Sequence, residues 1–210
     1  MQSISIREGS VNAALRSAIE VLKKGGIVAY PTETFYGLGV RFDREESLRK
    51  LYEIKKRPKE KAMPMIIGDM RMLDLVASVD NLRALSIIDR FWPGPLTLML
   101  PAKDNLSKYL TAGTGSVAIR IPGQSFALEL VRAAGFPITA TSANISGMPP
   151  ARDADTVRRY FGEGIDLLVD AGETPGGSPS TIVDLTGDNP RIVREGAIKE
   201  RDIYEFIVKS

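Results

Sequence analysis

The sequence predicts a single α/β domain in which helices flank a twisted, mostly buried mixed sheet. Short apolar segments of strand length alternate along the chain with segments whose apolar residues recur at helical spacing. No stretch rich in proline, glycine and serine is long enough to divide the 210 residues. A hydrophobic content of 43% and a charged content of 26% are ordinary for a globular protein. We therefore expect one domain over residues 1–210, with a core over about 11–198.

Most of the predicted strands are near-continuous apolar runs, which is typical of a sheet that is covered on both faces. They lie at 4–6, 27–30, 64–67, 96–100, 116–121, 137–140, 167–169, 181–185 and 192–194. Ligand sites in such sheets gather in the loops at strand ends. The loops after these strands are therefore the first places to search for chemistry.

The predicted helices carry apolar residues three or four positions apart. They lie at 11–22, 43–54, 73–77, 80–91, 125–134, 155–161 and 198–208. Gly25-Gly26 and Gly135 are placed to end the first and fifth of them. Asp43 with Glu46 three residues later resembles a capping box that would open the second.

A strongly basic segment follows the second helix, and we call residues 55–61 the basic bend. It reads Lys55-Lys56-Arg57-Pro58-Lys59-Glu60-Lys61, with five basic residues and one acid. Its charge of +4 exceeds the +2 of the whole chain, so the other residues sum to −2. Pro58 prevents a continuous helix, so the charges lie on a turn between two apolar elements. Such a bend could bind an anion, and a solvated loop is the alternative.

The absence of cysteine and histidine restricts the chemistry. It excludes a thiolate nucleophile, a disulfide framework, a histidine base and nearly every zinc site. Phosphoryl or nucleotidyl transfer remains compatible, because such reactions depend mainly on positioning and charge neutralisation. The start of the chain lacks the apolar run of a signal peptide, and no segment is long enough to span a membrane. We expect a cytoplasmic protein.

Standard nucleotide-binding fingerprints do not occur, and four segments remain as candidate sites. They are 32–39, the basic bend, Ser116 with Arg120, and Ser142-Ala143-Asn144. Ser116 and Arg120 would share one face of a strand, and an arginine in an apolar strand needs an anion beside it. Each segment has an alternative: a simple turn, a solvated loop, an exposed edge strand and a capped turn, respectively.

Together the motifs are similar to those of the YrdC family. They are Tyr30-Pro31-Thr32-Glu33-Thr34-Phe35-Tyr36-Gly37-Leu38-Gly39, Lys55-Lys56-Arg57-Pro58, Trp92-Pro93-Gly94-Pro95-Leu96-Thr97, Val117-Ala118-Ile119-Arg120-Ile121-Pro122, Ser142-Ala143-Asn144 and Ser180-Thr181-Ile182. They occur in the family's order and at its approximate spacing, over about 11–198. The sequence most resembles the threonylcarbamoyl-adenylate synthases of that family.

The resemblance implies a reaction in which L-threonine, bicarbonate or CO₂, and ATP give threonylcarbamoyl-adenylate and pyrophosphate. The intermediate would serve N6-threonylcarbamoyladenosine (t6A) modification of tRNA through downstream transferase proteins. Mg²⁺ is expected only as the companion of ATP, with no protein metal ligand. Direct contact with tRNA stays open.

The resemblance also implies roles for individual residues. Lys55 and Arg57 would act in catalysis at the phosphates. The ATP site would comprise Arg57, Lys61, Ser116, Ser142, Asn144, Pro150 and Arg194. The threonine site would comprise Thr34, Arg120, Ala140 through its backbone, and Ser180. The chain departs from the family pattern at Lys61, where asparagine is frequent, at Pro150, where serine is frequent, and at Pro179, where glutamate is common.

Two other functions fit parts of the sequence. A non-catalytic module that binds double-stranded RNA or tRNA would also use a basic surface, because lysine and arginine bind phosphates of either kind. A carbamoyl-transfer domain of the same fold would act on another acceptor, usually within a multidomain chain that has zinc-finger modules. The lack of cysteine argues against that setting.

Overall fold

The strands divide between two mixed sheets rather than forming the one sheet that we expected, while the predicted α/β class is confirmed. The structure is a computed structural model and describes residues 1–6, 11–187 and 189–209. The last position of the predicted domain, 210, lies outside the described residues. The two sheets meet at residues 138–142, and the candidate site lies between them.

The first sheet contains five strands: β1 (Gln2–Ser5), β2 (Val28–Pro31), β3 (Tyr36–Gly39), β8 (Thr141–Ser142) and β9 (Leu167–Asp170). Their order is β1-β9-β2-β3-β8. β9 runs parallel to β1 and β2, whereas β3 is antiparallel to β2 and β8. Every residue of β2 and β3 is buried, in keeping with strands covered on both faces.

The second sheet contains β4 (Met65–Ile66), β5 (Leu96–Pro101), β6 (Ser116–Arg120), β7 (Ile138–Thr139), β10 (Thr181–Asp184) and β11 (Arg191–Arg194). Their order is β11-β10-β5-β6-β4-β7. β5 pairs parallel with β10 and antiparallel with β6, and β4 pairs parallel with β6. β7 and β11 are antiparallel to their neighbours.

The two sheets join where β7 passes into β8 through Ala140. The backbone N–H of Thr139 donates to the carbonyl of Val40 at 3.0 Å, and the Val40 N–H donates to the Thr139 hydroxyl at 2.9 Å. Gly39 lies against this junction, where an added Cβ would come 2.6 Å from Ile138 and 2.9 Å from the Thr139 carbonyl. Only glycine lets the β2–β3 hairpin approach the second sheet so closely. The end of the hairpin that carries Gly39 consequently packs against β7 of the second sheet.

The helices pack against the sheets. They are α1 (Val11–Lys23), α2 (Glu45–Lys55), α3 (Met70–Leu73), α4 (Leu82–Phe91), α5 (Lys108–Thr111), α6 (Phe126–Ala134), α7 (Ala154–Phe161) and α8 (Glu200–Lys209), with a 3₁₀ helix at Gly162–Gly164. Ser125 caps the start of α6, and Gly135 ends that helix in the left-handed conformation, with φ of 75°. None of the helices described is long and apolar enough to cross a membrane.

Several local predictions were wrong. The capping box at Asp43 does not form, because its carboxylate accepts two hydrogen bonds from Arg41, at 2.7 and 2.8 Å. α2 therefore begins after Arg44 without a side-chain cap. β3, β8 and α5 lie in segments that we expected to be loops or connections. β3 forms by pairing with the adjacent strand β2, and β8 forms by pairing with β3, which is distant from it in sequence.

Candidate active site

A cavity of about 800 Å³ lies between the two sheets and contains most of the predicted site residues. Its walls come from the β2–β3 hairpin, the basic bend, the β8 segment and strands β4, β5, β6, β10 and β11. Ten of the twelve residues singled out from the sequence line it. They are Thr34, Arg57, Lys61, Ser116, Arg120, Ala140, Ser142, Pro150, Ser180 and Arg194. Lys55 and Asn144 do not.

β6 presents every second residue to the cavity, in the alternation expected of a strand. Ser116, Ala118 and Arg120 all line it, while Val117 and Ile119 are buried in the core. Ser116 is itself buried and shares a hydrogen bond with the Thr114 hydroxyl at 2.8 Å. The predicted common face of Ser116 and Arg120 is therefore confirmed.

Lys55 is buried, although it belongs to the basic bend. Only 1% of the residue is exposed. Its Nζ donates to the backbone carbonyls of Ser142 and Asn144, at 2.5 and 2.7 Å. Its own carbonyl accepts from the Ser146 N–H at 2.8 Å. Lys55 thus fastens the 142–146 segment to the end of α2.

Burial changes the titration of this lysine. Desolvation, and to a smaller extent the nearby positive charge of Arg57, together lower the pKa of Lys55 from 10.5 to about 7. The neutral amine still carries two N–H donors, so both carbonyl contacts are compatible with either protonation state.

Asn144 uses its amide within the loop that follows β8. The Ser142 hydroxyl donates to the Asn144 Oδ1 at 2.5 Å, and the Asn144 Nδ2 donates to the carbonyls of Ile145 and Met148, at 3.1 and 2.7 Å. These bonds shape the loop and leave the Ser142 side chain on the cavity wall.

The basic bend begins where α2 ends. Lys56 adopts the left-handed conformation, with φ of 48°, and closes the helix. Arg57 then folds back over the bend: its Nε donates to the Lys61 carbonyl at 2.9 Å and its Nη2 to the Ala62 carbonyl at 2.6 Å. The guanidinium is therefore held in place at the cavity wall, whereas Lys56 and Lys59 are exposed.

Arg120 is paired with Glu33, a residue that the sequence reasoning did not assign to the site. Its Nη1 donates to the Glu33 Oε1. The side chains are 13% and 21% exposed, respectively. We expected an anion beside Arg120, and the carboxylate in the 32–39 loop could have been matched to that need. The two residues are 87 positions apart, so spacing alone did not connect them.

Thr32 holds the same loop in a fixed turn. Its hydroxyl donates to the Phe35 carbonyl at 2.6 Å and accepts from the N–H groups of Thr34 and Phe35, at 3.1 and 3.2 Å. The Thr34 carbonyl accepts from the Gly176 N–H at 2.7 Å, which ties the loop to the 172–179 segment. These bonds fix the backbone of Thr34, which lines the cavity.

Ser180 and Arg194 form the opposite side of the cavity. The Ser180 hydroxyl lies 2.8 Å from that of Thr97, and the Arg194 Nη2 donates to the Ser180 carbonyl at 2.7 Å. Burial lowers the pKa of Arg194, and the positive charge of Arg120 adds to this effect. The two guanidinium groups are therefore close enough to repel each other.

The cavity has a strongly positive lining. Four cationic side chains face it, from Arg57, Lys61, Arg120 and Arg194, and its described lining includes no carboxylate. No group of three or more acidic side chains that could hold a metal ion occurs in the described part of the chain. The volume is that of a small-molecule site, and the charge favours an anionic ligand with several negative groups.

Comparisons with known proteins agree with this geometry. A model of the Sua5/YciO/YrdC family, described as "Telomere recombination", matches residues 20–196. The threonylcarbamoyl-AMP synthase of Bacillus subtilis is 39% identical over 194 residues, which cover 92% of this chain and 56% of that protein. The threonylcarbamoyl-AMP synthase of Pyrococcus abyssi is 36% identical over 97% of this chain and 60% of its own length. The chain thus spans less than two thirds of these two relatives.

A solved structure shares the fold over nearly the whole chain. The crystal structure of P. abyssi Sua5 complexed with L-threonine matches 98% of this chain and 60% of its own, with a TM-score of 0.90 and 35% identity. The predicted family is confirmed: this chain belongs to the Sua5/YciO/YrdC family.

Proposed function

We propose that the chain is a threonylcarbamoyl-AMP synthase, which joins L-threonine, bicarbonate or CO₂, and the AMP part of ATP and releases pyrophosphate. The observation that carries the proposal is the cavity between the sheets, with four cationic side chains and several hydroxyls on its walls. ATP carries several negative charges on its phosphates, and threonine carries a carboxylate. Cationic and hydroxyl side chains bind both kinds of group. The names of the relatives favour this reading over an RNA-binding module.

The nucleotide half would be formed by the bend and the segments around it. We assign Arg57, Lys61, Ser116, Ser142, Pro150 and Arg194 to it. Arg57 is held by two backbone carbonyls before any ligand arrives, so its charge needs no reorganisation at the transition state. Lys55 and Asn144 would act on this half indirectly, by holding the segment that carries Ser142.

The threonine half would be formed by Thr34, Arg120, Ala140 and Ser180. The planar guanidinium of Arg120 offers paired donors that match a carboxylate. The Thr34 and Ser180 hydroxyls line the same cavity and could bind the hydroxyl or the carboxylate of the substrate. Arg120 and Arg194 are near one another, so the two halves adjoin.

The reaction needs no nucleophile from the protein. The threonine ammonium loses a proton, and its nitrogen forms a bond to the carbon of bicarbonate with loss of water, or to that of CO₂ with loss of a second proton. The carbamate oxygen then attacks the α-phosphorus, and the bond to pyrophosphate breaks. Arg57 and Lys61 would stabilise negative charge on the phosphates as this bond breaks. Mg²⁺ would be held mainly by phosphate oxygens, because the described lining offers no carboxylate ligand. The product would pass to transferase proteins that modify tRNA.

Product identification tests the proposal. The purified chain is incubated with ATP, Mg²⁺, L-threonine and ¹³C-bicarbonate, and the mixture is analysed by mass spectrometry. The expected product is an adenylate that carries both threonine and the labelled carbon, in equal amount to pyrophosphate. Conversion of ATP to ADP, or binding of RNA with no adenylate formed, would contradict the proposal.

A further inference from the structure

The ion pair between Arg120 and Glu33 has one oxygen atom with no partner. The Glu33 Oε1 accepts from Arg120, but its Oε2 is buried and lacks a hydrogen-bond partner in the structure. A buried carboxylate oxygen without a donor is costly, and such atoms call for an explanation where they occur. Glu33 does not line the cavity itself, but its side chain is 21% exposed and its partner Arg120 does line it.

Glu33 lies between two residues of the cavity wall. Thr32 and Thr34, its neighbours on either side, both line the cavity. The turn of Thr32 fixes the backbone of this loop. The last torsion of a glutamate side chain is soft, so a small rotation of the carboxylate can turn an oxygen towards the cavity while the pair with Arg120 persists. A donor that enters with a ligand could therefore satisfy it.

The charges of the cavity indicate what that donor is. An α-amino acid is a zwitterion, with an ammonium group two bonds from its carboxylate carbon. Its ammonium would be repelled by the four cationic side chains that line the cavity. Glu33 provides a negative charge beside the residue proposed to bind the carboxylate. A paired arginine and glutamate thus present the complement of both charges of the zwitterion.

We propose that Glu33 binds the amino group of the amino-acid substrate. It would hold the nitrogen that is to receive the carbon, while Arg120 holds the carboxylate. This inference rests on the proposed function. Its competitor is a purely structural role, in which Glu33 only neutralises Arg120.

A ligand that lacks the amine separates the two roles. Calorimetry measures the binding of two ligands in separate titrations. One is L-threonine, and the other is 2,3-dihydroxybutanoate of matching configuration, which has a hydroxyl in place of the amine. The proteins are the wild type, Glu33→Gln and a control, Asp184→Asn. Asp184 also pairs with an arginine, Arg191, at 3.0 Å, but neither residue lines the cavity. Thermal denaturation checks that each variant is folded.

The wild type should bind threonine at least about 10-fold more tightly than the hydroxy acid, the worth of a charged hydrogen bond. Glu33→Gln should lose this preference, with threonine weakened and the hydroxy acid bound as well as before or better. Asp184→Asn should keep it. If Glu33→Gln weakens both ligands equally, Glu33 serves only Arg120 and the inference is overturned, while the proposed function stands.

If Glu33→Gln does not fold, the wild-type protein alone can still test the inference. Equal affinities of wild-type protein for threonine and the hydroxy acid would overturn the inference without any variant. A wild type that binds neither ligand, in the presence or absence of an ATP analogue, would instead overturn the proposed function, and the inference with it.

Discussion

Replacement of Lys55 by methionine is the sharpest test of how the site is supported. The change keeps the length of the side chain but removes the donor to the Ser142 and Asn144 carbonyls. The Ser142 carbonyl would keep a donor in this variant, the Asn144 N–H at 2.9 Å, but the Asn144 carbonyl would lose its partner. Leaving one acceptor unpaired should destabilise the fold by about 1–3 kcal/mol. At pH values where Lys55 is protonated, methionine also removes a buried charge, and this offsets part of the loss in stability. The loss should therefore depend on pH.

The sign of that dependence follows from the lowered pKa. Lys55 titrates at about 7 in the folded chain and at its ordinary 10.5 when unfolded. Between these values the unfolded state binds more protons, so wild-type stability rises with pH through this window. One proton contributes about 1 kcal/mol or slightly more per pH unit, hence about 2–3 kcal/mol from pH 7 to pH 9. Methionine abolishes this contribution.

Urea unfolding of both proteins at pH 6, 7, 8 and 9 measures the effect. Because the chain has no histidine, few other groups titrate in this range, and those that do are shared by both proteins. The difference in the free energy of unfolding should be nearly constant below pH 7 and should grow above it. A difference that stays flat from pH 6 to pH 9 would refute the buried, pKa-shifted lysine.

Three other substitutions probe the proposed halves of the site. Arg57→Ala should keep the fold but reduce the rate of pyrophosphate release at least about 10²-fold, as loss of a preorganised charge typically does. Lys59→Ala is the control and should not reduce it. Equal rates for the two variants would contradict the assignment of Arg57. Arg120→Lys should weaken threonine binding by about 1.5–3 kcal/mol, because lysine keeps the charge but lacks the fork. Calorimetry of a non-hydrolysable ATP analogue should show little change, and the reverse pattern would mean that the halves are exchanged. Thr34→Val should narrow the preference for threonine over alanine in the same titrations, and an unchanged preference would remove Thr34 from hydroxyl recognition.

Local patterns in the sequence predicted part of the cavity lining, and the resemblance to the YrdC family implied the rest. Alternation along β6 puts Ser116 and Arg120 on one face. Pro58 forces the bend that carries Arg57, and the Ser142 segment directly follows an apolar strand. Each of these depends on a few neighbouring residues.

What could not be predicted depends on contacts between distant residues. Lysine is almost never fully buried, and Lys55 is buried only because carbonyls 87 and 89 positions away accept from it. Glu33 reaches Arg120 over a separation of 87 positions. The division into two sheets depends on β7 and β8, two residues each, which are too short to carry a periodic signal.

Pyrophosphate release from ATP tests the central claim most directly. It is measured with the purified chain and Mg²⁺ while threonine and bicarbonate are each omitted in turn, under CO₂-free conditions. The proposed reaction predicts release only when both are present, since the group that attacks the α-phosphorus does not exist until they combine. Release that continues without threonine or without bicarbonate, or no release when all the substrates are present, would contradict the account.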